Sequence, residues 1–143
     1  MLIGLIALIC AAFFAGAAFY INVAEHPARM LIPAKFAVLQ WRPSYARGFA
    51  MQATLAVIGG CAALWQWYSA SNVAWLIGGV LLLANWPYTL LVIMPTNHIL
   101  EAEGAETSAE AASLLRRWNR LHMVRTGLSL LAVCVMAAGT LGY

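Results

Sequence analysis

GFAMQATLAVIGGCAALWQWYSASNVAWLIGGVLLLANWPYTLLVIM, residues 48–94, contains no Asp, Glu, Lys or Arg. A helix needs roughly 20 apolar residues to span the hydrocarbon of a bilayer. This stretch holds two such lengths, about 48–68 and about 73–94, parted only by Ser-Ala-Ser-Asn at 69–72. So short and uncharged a turn predicts an antiparallel pair of membrane helices. Outward from the pair, two further runs of similar length lie at about 1–23 and about 118–141, the last apolar from Leu121 onward. The predicted fold class is all-α: an integral-membrane four-helix bundle that forms a single domain over 1–143.

Composition supports this reading. Of 143 residues, 64% are hydrophobic, and only 8 Lys+Arg and 5 Asp+Glu carry charge, too few to clothe a water-soluble globule. Four crossings leave no length for a second domain or a nucleotide-binding module, so no nucleotide cofactor is expected. The net charge of +3 falls between apolar runs and forms no basic stripe with interleaved aromatics, which argues against nucleic acid. Cys10, Cys61 and Cys134 each sit inside an apolar run without a CxxC pair. They are expected to be small buried side chains, not redox groups. The first run lacks a positive n-region and is too long for a signal-peptide core, so it reads as a retained helix.

The two longer connections carry the basic residues. Residues 24–47 hold Arg29, Lys35, Arg42 and Arg47 with three prolines, and residues 95–120 hold Arg116, Arg117 and Arg120 with four glutamates. Both lie on the same side of an up-down bundle. Lys and Arg mark the cytoplasmic side, so both termini are expected to be periplasmic in a bacterial inner membrane. Met30-Leu31-Ile32 and Phe36-Ala37-Val38-Leu39 alternate with Arg29, Lys35 and Arg42, the pattern of a re-entrant or interfacial segment between helices one and two. Thr107 or Ser108 could cap a helix leading into helix four. Trp65, Trp67 and Trp75 flank the short turn and read as an aromatic belt facing membrane lipid. Gly59-Gly60 and Gly78-Gly79 suit close helix packing or a self-association face of a homo-oligomer.

Polar residues gather at one end. His26 follows helix one, His98 follows helix three, and His122 opens helix four. Asn22, Glu25 and His26 share one helical face, as do Trp118, His122 and Arg125. A cation inside a membrane helix needs a partner, and Glu25, the one acid outside 101–110, is the expected partner of Arg125. Gln52 and Asn97 fall at the same depth. Imidazole and carboxylate together suit a divalent or redox-active metal, with His26, His98, His122 and Glu25 as ligands and Asn22 and Asn97 holding ligands or substrate. A hydrogen-bonded knot that closes the helix ends explains the same pattern. Asn85 and Trp86, before Pro87, could line a pocket for an aromatic molecule or serve as belt and cross-helix contacts.

Several stretches together resemble the anthrone oxygenase-like family of small four-helix membrane proteins: GAAFYINVAEHPARM (16–30), PSYARGFAMQATLAV (43–57), PYTLLVIMPTNHIL (87–100) and RWNRLHMVRTGLSLLA (117–132). The distinctive residues are Asn22, Glu25, His26 and Pro27; Pro95, Thr96 and Asn97; and Trp118, Leu121, His122, Arg125 and Thr126. The resemblance implies an oxidoreductase, because fungal relatives oxidise a polyketide anthrone at its activated methylene carbon to an anthraquinone with molecular oxygen. On that implication His122 or Glu25 removes the proton, Arg125 stabilises the oxyanion, and a transition metal, copper before iron or zinc, handles oxygen. Asn22, Gln52, Asn85, Trp86, Asn97 and Trp118 would then contact a small hydrophobic substrate near the cytoplasmic face. Three other classes fit the composition: a structural or assembly protein, a bis-histidine haem protein, and a small proton-coupled transporter. The transporter is disfavoured because Glu25 lies at a helix end and not mid-span.

Overall fold

The structure, a computed structural model, describes residues 2–141. Four helices, α1 (Leu2–Arg29), α2 (Ala34–Ala70), α3 (Val73–Glu101) and α4 (Ala111–Thr140), are each long and apolar enough to cross a membrane, and no strand occurs among the described residues. In hydrocarbon every backbone N–H and C=O must be satisfied within the chain, which a helix does by itself. α1 and α3 each pack against both α2 and α4, while the diagonal pairs touch far less. This is the closed ring of an up-down bundle. Small residues on α1, Ala7, Ala11 and Ala18, recur at helical spacing beside Phe14 and meet Ala56, Ala63, Leu82, Ala132 and Met136. The opposite surface shows Leu5, Phe13, Leu90, Leu91 and Leu131 to the surroundings. Apolar side chains thus cover the outside, and the protein is an integral membrane protein.

The helices run well past their apolar segments at one end. Residues 34–47 do not re-enter or lie flat; they prolong α2, leaving only a tight bend at 30–33. The reason is packing. Ala37, Val38 and Trp41 are spaced for one helix face and bury against Leu114, Leu115 and Trp118 of α4, so a second apolar core continues where the charges begin. Pro43 stays on the exposed side of α2. The short turn takes the expected form, with Ser71 left-handed (φ 52°) and Asn72 capping α3 by accepting from the Ala74 amide at 2.9 Å.

Each of α1 and α3 contains one π-helical turn, at Ile21–Glu25 and Thr89–Ile93. Pro27 and Pro95 open the α-helical segments that follow. A proline has no N–H to donate and crowds the carbonyl four residues back. One widened turn relieves that crowding without ending the helix.

Other expectations change in three dimensions. Cys61 and Cys134 are exposed on the outer surface, and only Cys10 is partly covered. Trp75 is 4% exposed and packs inward, whereas Trp65 and Trp67 face outward. Its indole fills the space over Gly4 and Gly139, two positions without a side chain. The glycine pairs serve packing within the bundle: a Cβ on Gly59 would stand 2.8 Å from Cys10 Cβ and 2.9 Å from Leu82 Cδ2. Ser108 accepts from the Glu110 amide in the turn before α4, and α4 starts later, at Ala111. Arg42 ties the loop down. It donates to the Leu100 and Ala102 carbonyls at the C-terminus of α3 (3.1 and 2.9 Å) and to Glu106 (2.8 Å), where a cation also meets the negative end of the helix dipole.

Two outcomes follow from these contacts. Gly59→Ala should lower stability by about 1–3 kcal/mol through overpacking. Gly16→Ala, with nothing within 4 Å, should gain about 0.5–1 kcal/mol from helix propensity; thermal unfolding of both variants in detergent compares them. Glu106 is held below the usual carboxylate range by its own backbone amide first and then by Arg42. Its contribution is therefore present at neutral pH and lost as the pH falls through the lowered value. The difference in thermal midpoint between wild type and Glu106→Gln should be present at pH 7 and vanish in strong acid.

Candidate functional site

The π-turn in α1 turns Asn22 toward α4, where it bonds at three levels. Its Nδ2 donates to Asn119 Oδ1 (2.7 Å) and to the Asn119 carbonyl (3.3 Å), while its Oδ1 accepts from Thr126 Oγ1 (2.5 Å) and faces His122 Nδ1 at 3.3 Å. Two lone pairs do not face one another, so Nδ1 carries the proton and Nε2 is the basic nitrogen of His122. The π-turn in α3 lies at the same level, since Tyr88, just before it, donates to the Leu121 carbonyl at 3.1 Å.

One turn deeper, Arg125 is 4% exposed and stands at the middle of α4. Its Nη2 donates to Gln52 Oε1 at 2.8 Å, and its guanidinium lies 5.3 Å from the ring centroid of Phe14. Among the described residues it has no carboxylate partner. Glu25 instead pairs with Arg29 at 2.5 Å and accepts from Ser44 and from Gln40 Nε2, while Arg29 Nε donates to Gln40. The expected Glu25–Arg125 pair is therefore replaced by an i,i+4 pair on α1 itself, the geometry that helical spacing favours.

Two cavities meet at Arg125 and Phe49. One, about 10 Å³, is lined by Phe14, Phe49, Ala53, Ala56, Asn85, Trp86 and Thr89 besides Arg125. The other, also about 10 Å³, lies between α1, α2 and α4 and is walled by Arg29, Trp41, Tyr45, Gln52, Trp118 and His122 among others. An unbroken series of rings runs along both. Trp41 stacks on Tyr45 (4.9 Å between centroids), Tyr45 meets Phe49 (5.9 Å), and Phe49 meets Trp86 (6.2 Å). Trp118 stacks on His122 (4.9 Å) and crosses Trp41 edge-on (5.7 Å). Five residues that wall the second cavity carry buried N–H groups that find no acceptor: Arg29 Nη1, Trp41 Nε1, Gln52 Nε2, Trp118 Nε1 and Arg125 Nε. Buried donors left unpaired cost about 1–3 kcal/mol each.

A family model for anthrone oxygenase matches residues 41–135. The chain belongs to the anthrone oxygenase family. No curated protein and no solved structure matches. The matched stretch takes in α2 from Trp41, all of α3 and most of α4, hence Trp41, Gln52, Trp86, Asn97, Trp118, His122 and Arg125; Asn22, Glu25 and His26 on α1 lie outside it.

For this family member the structure gathers some sequence candidates and disperses others. His122, Arg125, Gln52, Trp118 and Glu25 line the second cavity, and Asn85 and Trp86 the first. Asn85 Nδ2 donates to the Leu81 and Leu82 carbonyls, leaving its Oδ1 unpaired. His26 is buried with its ring 6.3 Å from that of Trp118. His98 faces outward. Asn97 is fully buried but lines neither cavity. No three His, Cys, Asp or Glu side chains among the described residues are placed to hold a metal ion, because His98 points away and Glu25 is engaged by Arg29, Gln40 and Ser44. The donor set brought together here does not fit the four-ligand centre drawn from the sequence. Arg125 and Gln52 also sit mid-helix and not near a helix end, since α4 and α2 begin earlier than their apolar runs. Trp41, Tyr45, Phe49, Arg29 and Phe14 are among the cavity residues that sequence reasoning passed over. The spacing Trp41, Tyr45, Phe49 is i, i+4, i+8 on one helix face and was the signal available.

Asn22→Leu leaves His122 Nδ1, Thr126 Oγ1 and Asn119 without their partner. It should destabilise the protein by about 1–3 kcal/mol, read by thermal unfolding in detergent, and Asn22→Asp should recover part of the loss by keeping an acceptor.

Proposed function

We propose that the protein is a membrane-embedded oxygenase that oxidises a small hydrophobic hydroxyarene of the anthrone type, with the reacting carbon in the chamber between Arg125 and His122. One observation carries the reading: Arg125 is a buried cation without a carboxylate partner, placed where two small cavities walled by Phe14, Phe49, Trp86, Trp41 and Trp118 meet. An uncompensated charge in a dry bundle is costly, and an oxyanion formed on a bound aromatic substrate is the group that offsets it. Family membership supports the same chemistry.

In this scheme the substrate ring lies among Phe14, Phe49 and Trp86. Phe49 walls both cavities, and the helices and side chains there must part to admit a substrate, since each cavity holds only about 10 Å³. His122 Nε2 takes a proton from the activated methylene carbon. The negative charge moves to the conjugated oxygen, held by Arg125 and by Gln52, which Arg125 itself orients. The electron-rich carbanion passes one electron to dioxygen, and the resulting pair of radicals combines to form a carbon–oxygen bond. Loss of water from the hydroperoxide leaves the quinone carbonyl. One dioxygen is consumed per product, one of its atoms entering the product and the other leaving as water, and no outside reductant is required. Asn22 acts as a positioning residue by fixing the His122 tautomer.

The Lys and Arg of the two longer connections support a chamber toward the cytoplasmic side, with both termini across the membrane.

Oxygen uptake by the purified protein with anthrone and related hydroxyarenes tests the proposal. Wild type should consume one dioxygen per quinone formed and place one 18O atom in it. Arg125→Gln should lower kcat by about 10²–10³-fold, the usual loss of an oxyanion donor, and His122→Gln should lower it comparably. Absence of turnover above that of His122→Gln across the panel would overturn the assignment.

A further inference from the structure

The outer surface between α2 and α3 carries a groove of about 440 Å³, lined by Ala50, Ala53, Thr54, Val57, Ile58 and Trp86. Small-molecule sites run to about 300–1,000 Å³. The groove opens to hydrocarbon, because residues 48–94 hold no charged side chain. Its two polar side chains are already engaged: Thr54 Oγ1 donates to the Ala50 carbonyl (2.9 Å) and Trp86 Nε1 to the Ala53 carbonyl (3.4 Å). An occupant is therefore held by apolar and ring contacts and not by hydrogen bonds. Ala53 and Trp86 also line the inner cavity that contains Phe14, Phe49 and Arg125, so they form a shared wall between groove and cavity. A groove beside α1, of about 490 Å³, shares Glu25 and Arg29 with the other inner cavity. That wall is an ion pair, which an apolar ring passes at a high cost in lost charge pairing.

The α3 side of the shared wall is an irregular part of its helix. The α-helical pattern breaks at Ala84 and gives way to the π-turn at Thr89–Ile93, with Trp86 and Pro87 between them. Pro87 has no N–H to offer the Leu83 carbonyl, and Asn85 Nδ2 reaches back to the Leu81 and Leu82 carbonyls. Helices bend at such points. Trp86 therefore rides on a deformable segment, tied to α2 by one long hydrogen bond.

We propose that this groove is a docking site for a flat aromatic ring system dissolved in the lipid, and that Trp86 is the gate through which such a molecule passes to Arg125. The docking site stands on the groove alone; the passage rests on the oxygenase reading above. The inner cavity holds only about 10 Å³, so the molecule docks outside until the wall parts. Swinging the indole away from Ala53 breaks one 3.4 Å hydrogen bond and joins the groove to the inner cavity. A polar ring edge then meets the Arg125 charge. A lipid acyl chain fits the same groove but carries no group at its end for that cation to bind.

Benzophenone, a two-ring ketone that inserts into nearby C–H bonds under near-ultraviolet light, reads the docking site without turnover. With the full-length protein in oxygen-free phosphatidylcholine vesicles, crosslinks mapped by mass spectrometry should concentrate on 50–58 and Trp86. Excess 9,10-dihydroanthracene, which has the three-ring frame of anthrone, should suppress them, and hexadecane, a stand-in for an acyl chain, should not. Crosslinks spread evenly over the lipid-facing surface, or suppressed equally by hexadecane, would overturn the docking site. Thr54→Trp, which plugs the groove from outside the inner cavity, should also remove the crosslinks, with helical content by circular dichroism unchanged; Val57→Phe is a second plug should the first misfold. In the second arm, the plugged variant should lower kcat/KM for vesicle-dissolved anthrone about tenfold and leave kcat within about twofold, the split expected of a change in entry and not in chemistry. An unchanged kcat/KM, or an equal fall in kcat, would overturn the passage while leaving the docking site intact. Because crosslinking needs no turnover, an inactive protein whose groove still binds benzophenone in competition with dihydroanthracene refutes the oxygenase reading and not the docking site.

Discussion

A charge held at the centre of a membrane bundle must be solvated by the protein alone, and the guanidinium of Arg125 sets the terms for the residues around it. Gln52 supplies the one hydrogen-bond acceptor, Phe14 the face of a ring, and the remaining charge is left open toward the cavities. The small residues opposite, Ala53 and Ala56 on α2, are what leave that space empty. Larger side chains there would fill the space and press on the guanidinium. The polar seam from Asn119 to Thr126, clamped by Asn22, fixes the angle at which α4 presents Arg125. Stability and chemistry are coupled here: the groups that orient the charge are the ones that join α1 to α4.

The crossing helices were legible because a membrane span is an unambiguous pattern, twenty or so apolar residues without charge. Their true ends were not, because a helix can continue past the end of its apolar run. Residues 34–47 alternate charges with Phe36, Val38 and Trp41, and their hydrophobic side chains find α4 only in three dimensions. The same misplacement of ends set Arg125 too near a helix start. His26, His122 and Arg125 were visible as convergent residues, but the partner of Arg125 was not. Two candidates, the acid Glu25 and the amide Gln52, stood at comparable depth in sequence, and a local i,i+4 pair with Arg29 claimed the acid first. His98 shows the opposite failure: depth along the helix was readable, rotation about its axis was not.

The π-turns do not break the buried stripe. Each widens its helix locally, yet the interior positions keep helical spacing through it. In α1 the turn at Ile21–Glu25 lies between the apolar stripe that ends at Ala18 and the polar group Glu25–Arg29, and burial resumes at His26 and Arg29. Asn22 faces α4 there, while Glu25 and Arg29 turn toward Gln40 and Ser44 on α2. In α3 the turn at Thr89–Ile93 stands between Pro87 and Pro95, and Leu82, Asn85, Thr89, Ile93, Thr96 and Leu100 stay buried along one face.

The length of α2 has a consequence of its own. At 37 residues and about 1.5 Å per residue it reaches roughly 55 Å, against about 30 Å of hydrocarbon, and its charged residues all lie in the half that begins at Ala34. The bundle therefore stands in the bilayer like a post with one end in the headgroup layer. The last charge on α2 is Arg47, so about 25 Å of this helix exceeds what the hydrocarbon can cover, and that surplus is its charged half.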